Sequence, residues 1–357
     1  NPPFAAQASY FASAGNPITF ANPFPSAVQG APTSTPNFGA VDLNYQPARV
    51  QSASLGIQHQ LSQNTLIDLN VVASRSFGLD RLIQPNSAPP SPLPVQPRRP
   101  YPNYGVINEV RTDAKAWYYG LTVEVEHRVT SGLNVQSSYT FSRALDQSFS
   151  GVAGQSNDSS YPQNSYALNL EKGLSATDRK NRWVSNFVYT VPFGPGQKYL
   201  TGGVGGAIAG GWQITGVYTA QSGEVLGASL AGDPINQGSP NNVARPNRVC
   251  NGNLPSGSRS IHEWFDTACF VAPPLYTFGN AGRAFLIGPA LFDVDLGILR
   301  NFSVAERMRI QFRAEAFNSL NHTNFDTPGR YLGTTAFGIV TSAEPARVLQ
   351  LGLKFIF

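Results

Sequence analysis

Arg347-Val348-Leu349-Gln350-Leu351-Gly352-Leu353-Lys354-Phe355-Ile356-Phe357 alternates in side-chain character along its whole length. Leu349, Leu351, Leu353, Phe355 and Phe357 fall on one side of an extended chain, while Gln350, Gly352 and Lys354 dominate the other. A period of two marks a strand with one apolar face, because successive strand side chains point to opposite sides. A soluble sheet can carry one such strand. A transmembrane barrel needs many, so the rest of the chain must repeat the pattern.

It does, in pairs. Segments 50–59 and 65–75 flank 60–64, 115–129 and 133–143 flank 130–132, 182–191 and 211–221 flank a Gly-rich link, and 292–302 and 308–318 flank 303–307. Within them Trp117, Tyr119, Leu121, Val123 and Val125 oppose Tyr118, Thr122, Glu124, Glu126 and Arg128. Phe292, Val294, Leu296 and Ile298 oppose Asp293 and Asp295, and Ile310, Phe312, Ala314 and Ala316 oppose Arg309, Gln311, Arg313 and Glu315. An Arg or Lys at the bilayer midplane costs about 2–4 kcal/mol, so the charged face must look into water, a lumen or a plug. Glu124, Glu126, Arg128, Asp293, Asp295, Arg309, Arg313 and Glu315 are therefore expected to line a polar lumen. A soluble sandwich alternates in the same way.

Composition leans the same way. Charged residues make up 13% of the 357 and hydrophobic ones 41%, with 34 Gly, 14 Tyr and 22 Phe. That charge content is roughly half the usual share for a soluble domain. No apolar run is long enough for a transmembrane helix, a test that barrel strands of about 9–11 residues escape. The net charge of +4 is scattered, with no basic stripe interleaved with aromatics, which argues against nucleic-acid binding.

The connections separate membrane from soluble readings better. Joins within pairs are mostly short; those between pairs, 76–114, 144–181, 222–291 and 319–346, are long. Structureless loops beyond about 15 residues are rare in compact soluble domains. Short turns on one side and long loops on the other are the habit of outer-membrane barrels. Running the last strand from outside to inside satisfies all the connections at once. The Gly-rich link 192–210 is expected to continue its flanking strands, and Gly202-Gly203-Val204-Gly205-Gly206 reads as a flexible turn, since no strand–helix context supports a phosphate loop.

The count of nine strands is odd, whereas a bacterial barrel closes on an even number. The expectation is an all-β, antiparallel transmembrane barrel that is only partly present, with long extracellular loops. Residues 1–49, rich in Pro, Ala, Ser and Asn, read as an extended extracellular loop or the end of an upstream segment, and 50–357 as the barrel portion. The start Asn1-Pro2-Pro3 fits the C-terminal piece of a longer protein.

Trp117, Tyr119, Trp183, Tyr189, Trp212 and Tyr218 lie on the inferred lipid faces, many near strand ends, as membrane girdle aromatics do. Cys250 and Cys269 share the longest loop; in an exported chain they are expected to pair as a disulfide. His262 alone beside them is weak support for zinc. His59, His127, His262 and His322 show no ligand spacing, and no nucleophile elbow or HExxH occurs. No enzyme, metal or cofactor is expected. Tyr161, Tyr166, Trp264, Phe265 and Tyr276 are loop aromatics with nothing to single out a substrate contact.

Several blocks go further. Arg300-Asn301-Phe302, Met308-Arg309-Ile310-Gln311-Phe312-Arg313-Ala314-Glu315-Ala316-Phe317-Asn318 and Asn321-His322-Thr323-Asn324-Phe325 come near the end of the chain. Phe337-Gly338-Ile339-Val340-Thr341-Ser342 follows, with Arg347 leading into the last strand; Ala176-Thr177-Asp178-Arg179-Lys180-Asn181-Arg182 and Val191-Pro192-Phe193-Gly194 come earlier. Together these blocks resemble the barrel of Oar-like TonB-dependent outer-membrane transporters. The resemblance implies a 22-stranded barrel in the bacterial outer membrane, with about nine strands present here. It implies an N-terminal plug and a TonB box for energy coupling, neither visible in this sequence. It also makes Phe357 the assembly signal read by the barrel-insertion machinery. The implied partners are outer-membrane lipid, the TonB energy-coupling complex and an unidentified small-molecule, glycan or peptide substrate. Two other readings stand beside active transport: a secreted or surface β-rich adhesin, and a passive porin.

Overall fold

The computed structural model describes residues 35–129, 132–147, 160–239, 241, 243–303 and 308–357. Nine long strands run through them: β1 (Arg49–Ser62), β2 (Thr65–Ile83), β3 (Ile107–Arg128), β4 (Leu133–Asp146), β5 (Asn181–Thr190), β6 (Trp212–Gln221), β7 (Leu291–Ser303), β8 (Arg309–Phe317) and β9 (Val348–Ile356). Each pairs antiparallel with the next in chain order, so the sheet is an unbroken meander. Among the described residues the far edges of β1 and β9 have no partner strand, and the wall is not closed. No helix among them is long and apolar enough to cross a membrane.

All nine expected segments are strands, with shifted ends. β2 and β3 are 19 and 22 residues long, well beyond the expected 65–75 and 115–129. A crossing strand needs about 9–11 residues, so their loop-side halves rise past the band that the shorter strands form. The register slips between Phe77 and Leu79 and again between Leu79 and Arg81. Gly78 sits at that irregularity with φ +65, a conformation that costs glycine little.

Register carries one face intact across the sheet. The row Val71–Leu121–Phe141 joins β2 to β4, Tyr139–Trp183–Ala220–Phe292 joins β4 to β7, and Ile298–Ala314–Leu351 runs on to β9. Phe187 and Gly216 are partners on this face, and a Cβ at Gly216 would lie 2.2 Å from the Phe187 ring. The glycine leaves room for a neighbouring ring to lie flat on the sheet.

The link 192–210 departs from expectation. Instead of prolonging β5 and β6, it contains the helix α1 (Gly203–Ala209), whose last turn is tied by the Gly210 amide donating to Gly206 O at 3.0 Å. The Gly-Gly-Val-Gly-Gly run is mostly helix, not a flexible turn. Within 1–49, residues 1–34 lie outside the described residues, while Phe38–Val41 forms a short strand parallel to the start of β3.

The core lies not on the wall but in the long connections. Leu226, Ala228, Phe265, Cys269, Phe270 and Leu286 form a buried cluster, packed over by Trp264, Phe285, Leu332 and Phe337. Leu230, Ile235 and Ala244 form another, and Leu174, Ala176, Val225 and Ala284 a third. The described parts of the long connections form a folded cap.

The candidate transport wall and its cap

The eight charged wall residues fall on one face. Glu124, Ser138, Val184, Thr219 and Asp293 form one cross-strand row; Glu126, Gln136, Asn186, Val217 and Asp295 form the next. Arg128 pairs with Asn134, Arg313 with Leu299 and Gly352, Glu315 with Gly297 and Gln350, and Arg309 with Ser303. Neighbours on this face satisfy one another: Gln136 Nε2 donates to Glu124 Oε1 at 2.5 Å, Asn186 Nδ2 to Gln136 Oε1 at 3.3 Å, and Arg128 to Glu126. At the loop end the Asn318 amide donates to Asp295 Oδ1 at 2.9 Å. The rows make a hydrogen-bonded polar surface rather than a convergent catalytic set.

Trp117, Tyr119, Trp183, Tyr189, Trp212 and Tyr218 all fall on the opposite face. Trp183 and Tyr218 meet edge to face at 5.1 Å, Tyr218 continues to Phe292 at 5.5 Å, and Trp212 meets Phe312 at 6.1 Å. Trp183 and Tyr218 lie toward the loop ends of β5 and β6, and Tyr189 and Trp212 toward the turn ends. Their polar tips are satisfied locally: the Trp183 indole donates to Ser137 and Ser185 hydroxyls at 2.9 Å, and the Trp212 indole to Ile208 O at 3.0 Å. Arg300, also on this face, stacks over Trp212 and Phe302 and donates to the Ala207 and Ile208 carbonyls at the end of α1. Phe357 follows β9 and is fully exposed.

Cys250 and Cys269 are joined by a disulfide, with Cα atoms 4.9 Å apart. Asp266 completes a group of potential metal ligands with them, but the sulfurs are already bonded to each other. The bridge brings the start of the cap segment onto the Phe265–Phe270–Phe337 ring cluster, whose centroids are 5.2–5.8 Å apart.

The cap is pinned by contacts that no local pattern announces. Glu171 and Arg245 form a buried pair at 2.5 Å, and buried Arg283 pairs with Asp146 at the end of β4. Asn86, fully buried, donates to the Tyr101, Tyr104 and Gly105 carbonyls and accepts the Tyr101 amide, folding 84–106 on itself. Arg98 and Arg99 carry that loop to its neighbour, donating to Asn236 O and Gly238 O. Burial lowers the Arg99 pKa, and the Tyr166 hydroxyl donates to Pro85 O at 2.9 Å. Among the loop aromatics, Phe265 is core and Trp264 packs on it, whereas Tyr166 is exposed.

Residues 1–350 match the family model described as outer membrane beta barrel domain. No curated protein matches the chain. Among solved structures, the outer membrane transporter YddB from Escherichia coli aligns at 13% identity and a TM-score of 0.49, covering 88% of this chain and 33% of that one. FpvA of P. aeruginosa, solved with pyoverdines, aligns at 13% and 0.43, covering 88% and 28%. The FrpB iron transporter from Neisseria meningitidis aligns at 11% and 0.40, covering 88% and 32%. This chain thus spans about a third of the length of those proteins. A family match over nearly the whole chain, on a meander of strands with one apolar face, shows that it belongs to the outer membrane β-barrel domain family and resides in the bacterial outer membrane.

Proposed function

We propose that this chain supplies the C-terminal part of the wall of a TonB-dependent outer-membrane transporter, with 50–357 as barrel and 1–49 as a loop or the end of an upstream segment. The observation that carries the reading is register: the rows of Glu124 and Asp293 and of Glu126 and Asp295 stay on one face, and the aromatic and aliphatic rows stay on the other, where cations such as Arg300 and Arg143 stand toward the strand ends. On this reading the polar face meets the lumen or a plug, the apolar face meets lipid, and the aromatics form the girdles. Open sheet edges are not tolerated in hydrocarbon, so the free edges of β1 and β9 fit a larger wall. The folded cap supports capture of a small-molecule, glycan or peptide substrate at the outer mouth, and the role is transport, not catalysis.

Active transport and passive diffusion differ in a bilayer. The full-length protein in a planar lipid membrane is expected to show no steady ion conductance, because a plug fills a coupled transporter. Steady conductance without an energy source would favour the porin and overturn the transporter reading.

A further inference from the structure

The helix α1 is built inside out. Its only side chains larger than a methyl are Val204 and Ile208, and they are 75 and 66% exposed. Gly206, two residues from each, is the one buried position in the helix. At about 100° per residue, the two aliphatics fall on the face opposite that glycine. A Cβ at Gly206 would collide with the Leu200 carbonyl, and one at Gly210 would lie 2.7 Å from the Gly194 Cα. Bare glycine backbone thus packs inward and the aliphatics are turned out. A surface helix in water does the reverse and buries its apolar stripe. A lone exposed aliphatic is ordinary. Here Tyr199 and Leu200, just before the helix, are also about half exposed, and 199–211 contains no charged residue.

The direction in which α1 leans indicates what covers it. Arg300 and Trp212 are register partners on the apolar face of the wall. The Arg300 guanidinium donates to the Ala207 and Ile208 carbonyls, and the Trp212 indole donates to the Ile208 carbonyl at 3.0 Å. Both hold the last turn of the helix at the edge of the apolar face, away from the polar one. Val204 and Ile208 therefore extend the aliphatic surface of the wall past the turn ends of β6 and β7. Aliphatic side chains at that level settle at the boundary between headgroups and acyl chains, where Trp and Arg also anchor. Thr201 and the Tyr199 hydroxyl are the only polar side-chain groups in 199–211, too few for the hydrogen-bonded rim of a specific protein interface. Acyl chains require no such rim.

We propose that α1 is an interfacial foot, with Val204 and Ile208 inserted among the acyl chains of the leaflet at the turn end, fixing the depth of this side of the wall. The proposal rests on the reading that the apolar face meets lipid. On the orientation given above, that leaflet is the inner one.

The test is nitroxide accessibility in the full-length protein, reconstituted in vesicles of phosphatidylethanolamine and phosphatidylglycerol. Labels are placed through Val204→Cys, Ile208→Cys and, as a reference in the exposed turn between β1 and β2, Gln63→Cys. Oxygen concentrates in hydrocarbon and a water-soluble nickel complex does not. The ratio of oxygen to nickel collisions is therefore expected to be several-fold higher at 204 and 208 than at 63. Equal ratios at the three positions overturn the proposal, because the helix then stands in water. Low access to both reagents at 204 and 208 also overturns it, because the helix is then covered by protein, whether a second copy or another part of the same chain. Heat-modifiable migration reports folding, and Leu200→Cys replaces either label whose variant fails to fold, with the same expected ratio. A label at position 123 separates this proposal from the reading beneath it. Oxygen access at 123 with nickel access at 204 and 208 defeats the foot alone, whereas nickel access at 123 defeats the face assignment.

Discussion

The wall and the cap use the same apolar residue types in opposite ways. On the wall, Val71, Leu121 and Ile298 are 47, 37 and 41% exposed, although each lies within a strand paired on both sides. In the cap, Leu226, Leu286 and Phe265 are at most 1% exposed. Charge is inverted too: Arg245, Glu171 and Arg283 are buried in the cap, whereas Arg128, Arg309 and Arg313 stand out from the wall. The two parts take different solvents. The cap makes its own core, as a soluble domain does. The wall makes none, and on the proposed reading lipid completes it.

The largest effect should come from the cap. Arg245→Met leaves the Glu171 carboxylate buried without the guanidinium that grips both its oxygens. Breaking one partner of a buried pair costs about 3–5 kcal/mol. Hydrogen exchange should therefore rise across 222–290 while the wall amides stay protected. If wall and cap loosen together, they are one cooperative unit and the comparison fails.

On the wall the equivalent break is a charge on the wrong face. Val123 sits in the middle of the apolar row of β3, one residue from Thr122 on the polar row, where Thr122 shares a hydrogen bond with Thr140 at 3.0 Å. Val123→Arg should cost about 2–4 kcal/mol in a bilayer, and Thr122→Arg much less. Equilibrium unfolding in lipid vesicles reads the difference. Equal costs, or the reverse order, would reassign the faces.

That asymmetry also explains what was legible in the sequence. Period-two alternation is written in consecutive residues, so all nine strands, both faces and the placement of Glu124 or Trp183 could be read from the chain alone. The disulfide was legible because both cysteines share one loop. The cap was not. Glu171 and Arg245, or Asp146 and Arg283, are far apart in the chain, and neither member stands out locally. Asn86 looks like any loop asparagine until its contacts with 101–105 are seen. The helix Gly203–Ala209 ran against propensity, since glycine disfavours helix interiors; Gly210 meets Gly194 closely there, with a Cβ at Gly210 only 2.7 Å from the Gly194 Cα. Close backbone packing overrode local preference.

The disulfide should matter less than the buried pair. Closing a loop of this size constrains the open chain by roughly 3 kcal/mol at most, and ring packing around Phe270 already holds much of it. Cys250→Ser/Cys269→Ser should therefore speed proteolysis of 250–270 while leaving migration of the folded wall unchanged. Loss of the folded wall in the variant would mean that the bridge acts on assembly, not on the cap alone.

The smallest effect tests the comparison most cleanly, because it uses the same chemistry. Arg128 and Glu126 form an ion pair, as Arg245 and Glu171 do, but their side chains are 72 and 32% exposed against 3 and 5%. Exposed pairs contribute about 0–1 kcal/mol, since water screens the attraction and both ions remain solvated when it breaks. Arg128→Gln should thus shift unfolding by less than about 1 kcal/mol, and added salt should abolish what remains. A loss as large as that of Arg245→Met would mean that water does not reach this end of the polar face, as when a plug seals it. On the proposed reading, the size of this one number reports whether a plug fills the lumen beside Glu126.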